Sequence, residues 1–161
     1  MLTWYHDFAI VAGMENKQYT WDLSLLYKNS KDPQIEKDVQ DIEKAFTYFE
    51  KKYKNADFTE TPKALLVALE ELESINKKLS KKNPSWYFAL KTDIDSSDDY
   101  AQAMETAISQ RLTIAANKVT FFDLKIGKIS KKEQKTFLNF EPLAPFRYQL
   151  ERIFEDAKYD L

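Results

Sequence analysis

Cysteine is absent from the 161-residue chain. That excludes disulfides, thiolate catalysis and any zinc site built on thiolates, and it suits a reducing compartment, so a cytoplasmic location is expected. Histidine occurs once, as His6. A lone imidazole cannot supply a two-histidine metal site, and no Glu-x-x-His is present for a carboxylate-bridged centre in a helical bundle. Glycine is scarce at two residues and proline at five. With so few turn formers, the elements must be long. No apolar run approaches the roughly 20 residues that cross a bilayer as a helix. A net charge of −2 gives no global field that would draw in nucleic acid or an anionic membrane. Neither is expected as a partner.

What is present is a globular balance of 43% hydrophobic and 31% charged residues, on a length that fits one domain. Lys, Glu, Ala and Leu dominate, and these favour helices. Asp32-Pro33 places a side-chain acceptor at an N-cap and proline at the first helical position. Ile35, Val39, Ile42, Phe46, Phe49 and Tyr53 then recur at steps of four and three, which predicts a helix of about twenty residues with one apolar face. Lys51, Lys52 and Lys54 gather in its last turn, where the helix dipole favours cations. Thr61-Pro62 repeats the start signal. Leu65, Leu69, Leu72 and Leu79 carry the next stripe, widened by Leu66 and Ile75, with Asn76 on the seam as a candidate for fixing register. The short connection between them predicts an antiparallel hairpin.

Asn83-Pro84 interrupts the pattern and opens a third helix, expected to end near Ile94. After the polar turn Asp95-Ser96-Ser97-Asp98, the longest helix is expected. Its stripe runs Ala101, Met104, Ile108, Leu112, Ala115, Val119, Phe122 and Ile126, with Gly127 as a C-terminal stop. Ser130-Lys131-Lys132-Glu133 reads as a capping box before a short helix through Leu138. Pro142 and Pro145 bound a turn, and Phe146, Leu150, Ile153 and Phe154 define a last helix. The expected fold is all-α with no sheet: packed antiparallel hairpins of five to six helices, with a long helix in the second hairpin. Residues 21–161 form the domain. Residues 1–20 form an extension whose apolar run 8–12 is either a tail or a short docked strand. Met14 would also serve as an ordinary start.

The acidic turn places Asp93, Asp95 and Ser97 at the first, third and fifth positions of an EF-hand-like loop. The sixth position is Asp98 instead of glycine and the twelfth is Met104 instead of glutamate, so helix capping explains the acids better than calcium does. The lysine clusters at 51–54, 77–82 and 131–135 interleave with glutamate, as solvated helix faces do.

The order of these elements resembles the oligoendopeptidase F family of zinc metallopeptidases. The domain expected over 21–161 opens with Trp21-Asp22-Leu23-Ser24-Leu25-Leu26-Tyr27, similar to the Trp-Asp-Leu-Ser phrase with which members begin. A hairpin of two long helices follows, then an aromatic patch near Tyr87, the Asp-rich turn 93–98 and a long helix. Leu143-Ala144-Pro145-Phe146-Arg147-Tyr148-Gln149-Leu150-Glu151 matches the family's Leu-Ala-Pro-Phe/Tyr-Arg-x-x-Leu-Glu phrase. Pro84 departs from the smoother helix found there in the family.

The resemblance covers residues 19–161 and implies an N-terminal helical domain that helps wall a channel admitting short peptides. The family's chemistry needs His-Glu-x-x-His and a later glutamate, with the first glutamate as general base for a zinc-bound water. None of these maps onto this sequence, so no catalytic or metal-binding residue is assigned. Zinc is expected in a catalytic domain beyond Leu161, which would be the partner of this one. Trp86-Tyr87-Phe88 cannot all face one way on a helix; the residue left out would face either a second packing layer or a seam to that domain. Apolar surface of such a seam would make the chain self-associate. The alternative expectation is a stand-alone helical interaction module.

Overall fold

The computed structural model describes residues 21–82 and 84–159. The expected extension over residues 1–20, including His6 and the apolar run 8–12, lies outside the described residues, as does Asn83. Among the described residues there are seven α-helices and no strand. A 3₁₀ turn at Leu23–Leu25 precedes α1 (Pro33–Tyr53), α2 (Pro62–Leu79), α3 (Pro84–Ile94), α4 (Asp99–Asn117), α5 (Thr120–Gly127), α6 (Lys131–Leu138) and α7 (Arg147–Asp156).

The start signals act as the sequence indicates. The Asp32 carboxylate accepts from the Gln34 N–H at 2.9 Å and from the Lys28 N–H at 3.0 Å, so one side chain caps α1 and fixes the loop before it. Thr61 accepts from the Ala64 N–H, and Asp98 from the Ala101 N–H at 2.9 Å. Ser130 accepts from the Glu133 N–H and donates its own hydroxyl hydrogen to the Glu133 carboxylate at 2.5 Å. That bond replaces the usual return contact to the backbone in a capping box.

Side-chain pairs give the helix directions. Lys52 meets Glu71 near the α1–α2 turn, and Asp41 meets Lys82 at the far end, so α1 and α2 are antiparallel. Tyr100 lies by Ser30, Arg111 by Glu43 and Lys118 by Thr47, so α4 runs parallel to α1. Helix α3 folds back on α4 across the turn 95–98.

The core has two parts strung along α1. Its first half contributes Ile35 and Val39 to a cluster with Tyr27, Tyr87, Phe88, Ala101 and Ile108. Its second half contributes Phe49 and Tyr53 to a larger cluster completed by α2, α5, α6 and α7. There the Phe58 and Phe122 rings stack at 4.7 Å, with Phe49 edge-on to Phe122.

The long helix expected from 98 to 126 divides. The Lys118 and Val119 N–H groups bond three residues back, to Ala115 and Ala116, and Val119 leaves helical geometry at φ −106° and ψ 2°. The Thr120 hydroxyl donates to the Asn117 carbonyl at 2.9 Å, a local bond that competes with the helix ladder. The break re-aims the apolar stripe. Ala101 and Ile108 on α4 serve the first cluster, while Phe122 and Ile126 on α5 serve the second. Counted as one bent helix, α4 and α5 bring the total to six.

Helix α5 ends at Gly127 as expected, for a different reason. No described glycine has a positive φ, so Gly127 is not a left-handed cap. It is the point where α7 crosses closely: a Cβ on Gly127 would lie 2.8 Å from the Ala157 Cβ. Asn76 is a correction. It is exposed, on the side of α2 turned away from the core, and it cannot set the register of a buried seam.

Candidate functional site

The polar side chains at helix interfaces form three networks, all of them touching α1. In the first, Asp38 is buried at 7% exposure and accepts from the Tyr27 hydroxyl at 3.0 Å, the Gln34 amide at 2.8 Å and the Lys82 ammonium at 3.0 Å. Lys82 also donates to Asp41 at 2.5 Å. Those bonds hold the Asp41 carboxyl below its ordinary range and raise the Lys82 ammonium. Lys82 thus ties the loop after α2 to α1, and Asp38 ties α1 to the opening phrase through Tyr27.

In the second network Arg111 reaches from α4 to two glutamates one heptad apart on α1. Its Nε and Nη2 donate to Glu43 at 2.9 Å each, and Nη1 and Nη2 donate to Glu36 at 2.8 and 3.0 Å. This double fork lowers both carboxyls and raises the guanidinium. In the third, Lys52 and the Tyr53 hydroxyl both donate to Glu71 at 2.5 Å. Burial, reinforced by Glu71, pushes Tyr53 up to about 12. Burial also acts upward on the Glu71 carboxyl, but the bonds from Lys52 and Tyr53 outweigh it and the net shift is down.

Between the first and third networks α1 and α2 leave an open groove of about 530 Å³. Ala45, Tyr48, Ile75 and Leu79 supply its apolar lining, and Lys44 and Lys78 stand with Asp41 and Glu71 around it. A smaller hollow of about 220 Å³ lies between α5 and α7 beside Gly127. Asp123 is exposed at its rim, yet the apolar walls desolvate the carboxyl enough to push it upward.

The EF-hand-like turn uses its oxygens locally. Asp95 accepts from the Ser97 N–H at 2.9 Å and the Ser97 hydroxyl at 2.6 Å, which lowers its carboxyl, and Asp98 caps α4. No group of three or more His, Asp or Glu among the described residues is arranged to hold a metal ion. Within Trp86-Tyr87-Phe88, Tyr87 and Phe88 are buried and Trp86 is 63% exposed.

Both phrases that carry the family resemblance divide in the same way. In the first, Tyr27 is buried while Trp21 is 63% and Leu25 92% exposed. In the second, Leu143 and Leu150 are buried while Tyr148 is 74% exposed.

Sequence reasoning did not find the networks or the groove. Glu36 and Glu43, seven apart on one face of α1, were a legible signal for a cationic partner. Nothing local pointed to Arg111 as that partner, or to Lys82 for Asp38. No described helix is long and apolar enough to cross a membrane. The chain matches no protein-family model, no curated protein and no solved structure.

Proposed function

We propose that this chain is a non-catalytic N-terminal helical domain of an oligoendopeptidase F-like zinc metallopeptidase, and that it helps wall or gate the channel through which short peptides enter. The observation that carries the reading is the split in the two phrases. Each anchors itself by burying part of its apolar content and presents the rest, Trp21 and Leu25 in one and Tyr148 in the other, to whatever lies outside this domain. Single exposed apolar residues are common on any surface. Their recurrence within both family phrases is what favours a docking role.

The chemistry follows from the side chains available. With one histidine in the whole sequence, this chain cannot supply the two imidazoles of the family's zinc site, so hydrolysis belongs to another part of the enzyme. What this domain offers is rigidity. The Arg111 fork clamps α4 to α1, and Lys82 clamps the end of α2 to α1, which suits a fixed wall.

The encoding gene gives the most direct test. A reading frame that continues past Leu161 into His-Glu-x-x-His is the expected result. A stop codon at that point would refute the reading and favour a stand-alone interaction module. Zinc-dependent cleavage of a quenched peptide by this chain alone would refute the non-catalytic assignment.

A further inference from the structure

The α1–α2 hairpin buries its apolar stripe fully near the turn and only partly beyond it, although Lys82 ties the far end of the hairpin to α1. Near the turn Phe49, Tyr53, Leu65 and Leu69 are buried. Farther along, Leu72, Ile75 and Leu79 keep the three-and-four spacing of a core stripe yet remain only half-buried: Leu72 and Ile75 pack in part on the larger core cluster, and Ile75 and Leu79 line the 530 Å³ groove. Tyr48 lies opposite them at 54% exposure. A stripe spaced for burial and covered in part has the form of a helix-binding groove, in which a third helix would complete the packing.

Charge indicates which helix. The two carboxylates on the rim already have cations: Asp41 has Lys82, and Glu71 has Lys52. Lys44 and Lys78, which also line the groove, form no salt bridge among the described residues. The ammonium of Lys44 acts on Asp41 only through space. Lys82 is shared between Asp41 and Asp38, so the rim carries a net surplus of one positive charge, with Lys44 and Lys78 as the cations outside salt bridges along an apolar floor. A polyphosphate fits poorly, since the floor is apolar, two carboxylates flank it and no arginine lines it.

We propose that the α1–α2 groove docks an acidic amphipathic helix from a protein partner. Its apolar side would seat on Tyr48, Ile75 and Leu79, and its carboxylates would meet Lys44 and Lys78. This inference does not rest on the peptidase reading, and its test is separate from the gene sequence.

The probe is a fluorescein-labelled, end-capped peptide of about 18 residues, or five helical turns, with leucine on one face and glutamate on its flanks. Its counterpart carries lysine in place of glutamate. Binding is read by anisotropy and mapped by backbone amide chemical shifts. The acidic peptide is expected to bind, to shift amides on the facing sides of α1 and α2, and to weaken several-fold when salt rises, since exposed charges are screened beyond about 8 Å at physiological ionic strength. The double variant Lys44→Glu/Lys78→Glu should weaken the acidic peptide by at least about tenfold and gain the lysine peptide. Ile75→Ser, at a half-buried position, should weaken both pairings without reversing their preference. Equal binding of the two peptides by the parent chain would overturn the proposal. So would no binding at all, amide shifts confined to α5 and α7, or equally tight binding of a single-stranded oligonucleotide.

Discussion

Replacing Gly127 with alanine sets two effects of opposite sign against each other. In an isolated helix the change would help, because glycine costs up to about 1 kcal/mol relative to alanine in a helix interior, and less at a last position such as this one. Here the new methyl would stand 2.8 Å from the Ala157 Cβ, well inside van der Waals contact. Ala157 has no flexible side chain to swing away, so the end of α7 must move. Overpacking of that kind costs typically about 1–3 kcal/mol. The clash should win, leaving a net loss of about 1 kcal/mol. For a domain of this size that lowers Tm by about 2–4 °C. Circular dichroism melts and urea titrations would read it. Ala157→Gly removes the opposing methyl and should restore most of the loss when combined with Gly127→Ala, although alone it costs a few tenths to about 1 kcal/mol. The double-mutant cycle should show coupling of about 1 kcal/mol. A Gly127→Ala variant that melts at or above the parent temperature would refute the reasoning. Absence of rescue by Ala157→Gly would do the same.

Arg111→Met should cost about 1 kcal/mol at neutral pH, after allowing for the solvent exposure of this partly buried fork. Glu36 and Glu43 lie below their ordinary value near 4.5 in the folded chain, so their contribution is complete above that value and is lost as pH falls through the folded-state values. The urea midpoints of parent and variant should therefore converge in acid, and a gap that persists there would count against the fork. Tyr53 has its hydroxyl raised to about 12 from an ordinary value of 10.0. Its stabilising effect is complete below 10.0 and is lost as pH rises toward 12, so tyrosinate absorbance should show a late-ionising group that Tyr53→Phe removes. Phe88→Ala empties a fully buried site and should cost about 3–5 kcal/mol, whereas Leu25→Ser, at 92% exposure, should stay within about 0.5 kcal/mol in chemical denaturation. In sedimentation at high concentration the parent chain should self-associate, and Leu25→Ser with Tyr148→Ser should reduce that; a strictly monomeric parent would speak against a docking surface.

Helix starts were legible because each depends on a few neighbouring residues. Asp32-Pro33, Thr61-Pro62 and Ser130 cap the helices they were expected to cap, and of the two candidates Ser97 and Asp98 it is Asp98 that caps α4. The α1 stripe was equally legible, since five of its six expected positions are buried. The break at Lys118–Val119 was not. Its stripe residues keep helical spacing straight through it, and only the presence of two separate clusters explains why the face must be re-aimed. The role of Gly127 was hidden likewise, because its neighbour Ala157 is thirty positions away.

The candidate groove shows the limit most clearly. Leu72, Ile75 and Leu79 looked like core continuing from Leu65 and Leu69, and Asn76 looked like a buried register mark. Periodicity reports which face of a helix is apolar; it does not report how much of that face a partner helix covers. The lysines at 77–82 were read as one solvated cluster. Packing separates Lys82, committed to Asp38 and Asp41, from Lys78, which carries no salt bridge.

Composition and periodicity by themselves determined an all-α chain of capped, amphipathic helices joined in hairpins, because those properties arise from the local backbone and from which side chains avoid water. The tertiary structure decided the parallel setting of α1 and α4, the division of the core in two, the pairing of each interior charge and the opening between α1 and α2. Those depend on residues tens of positions apart meeting at one point, and a sequence records such meetings only after the chain has packed.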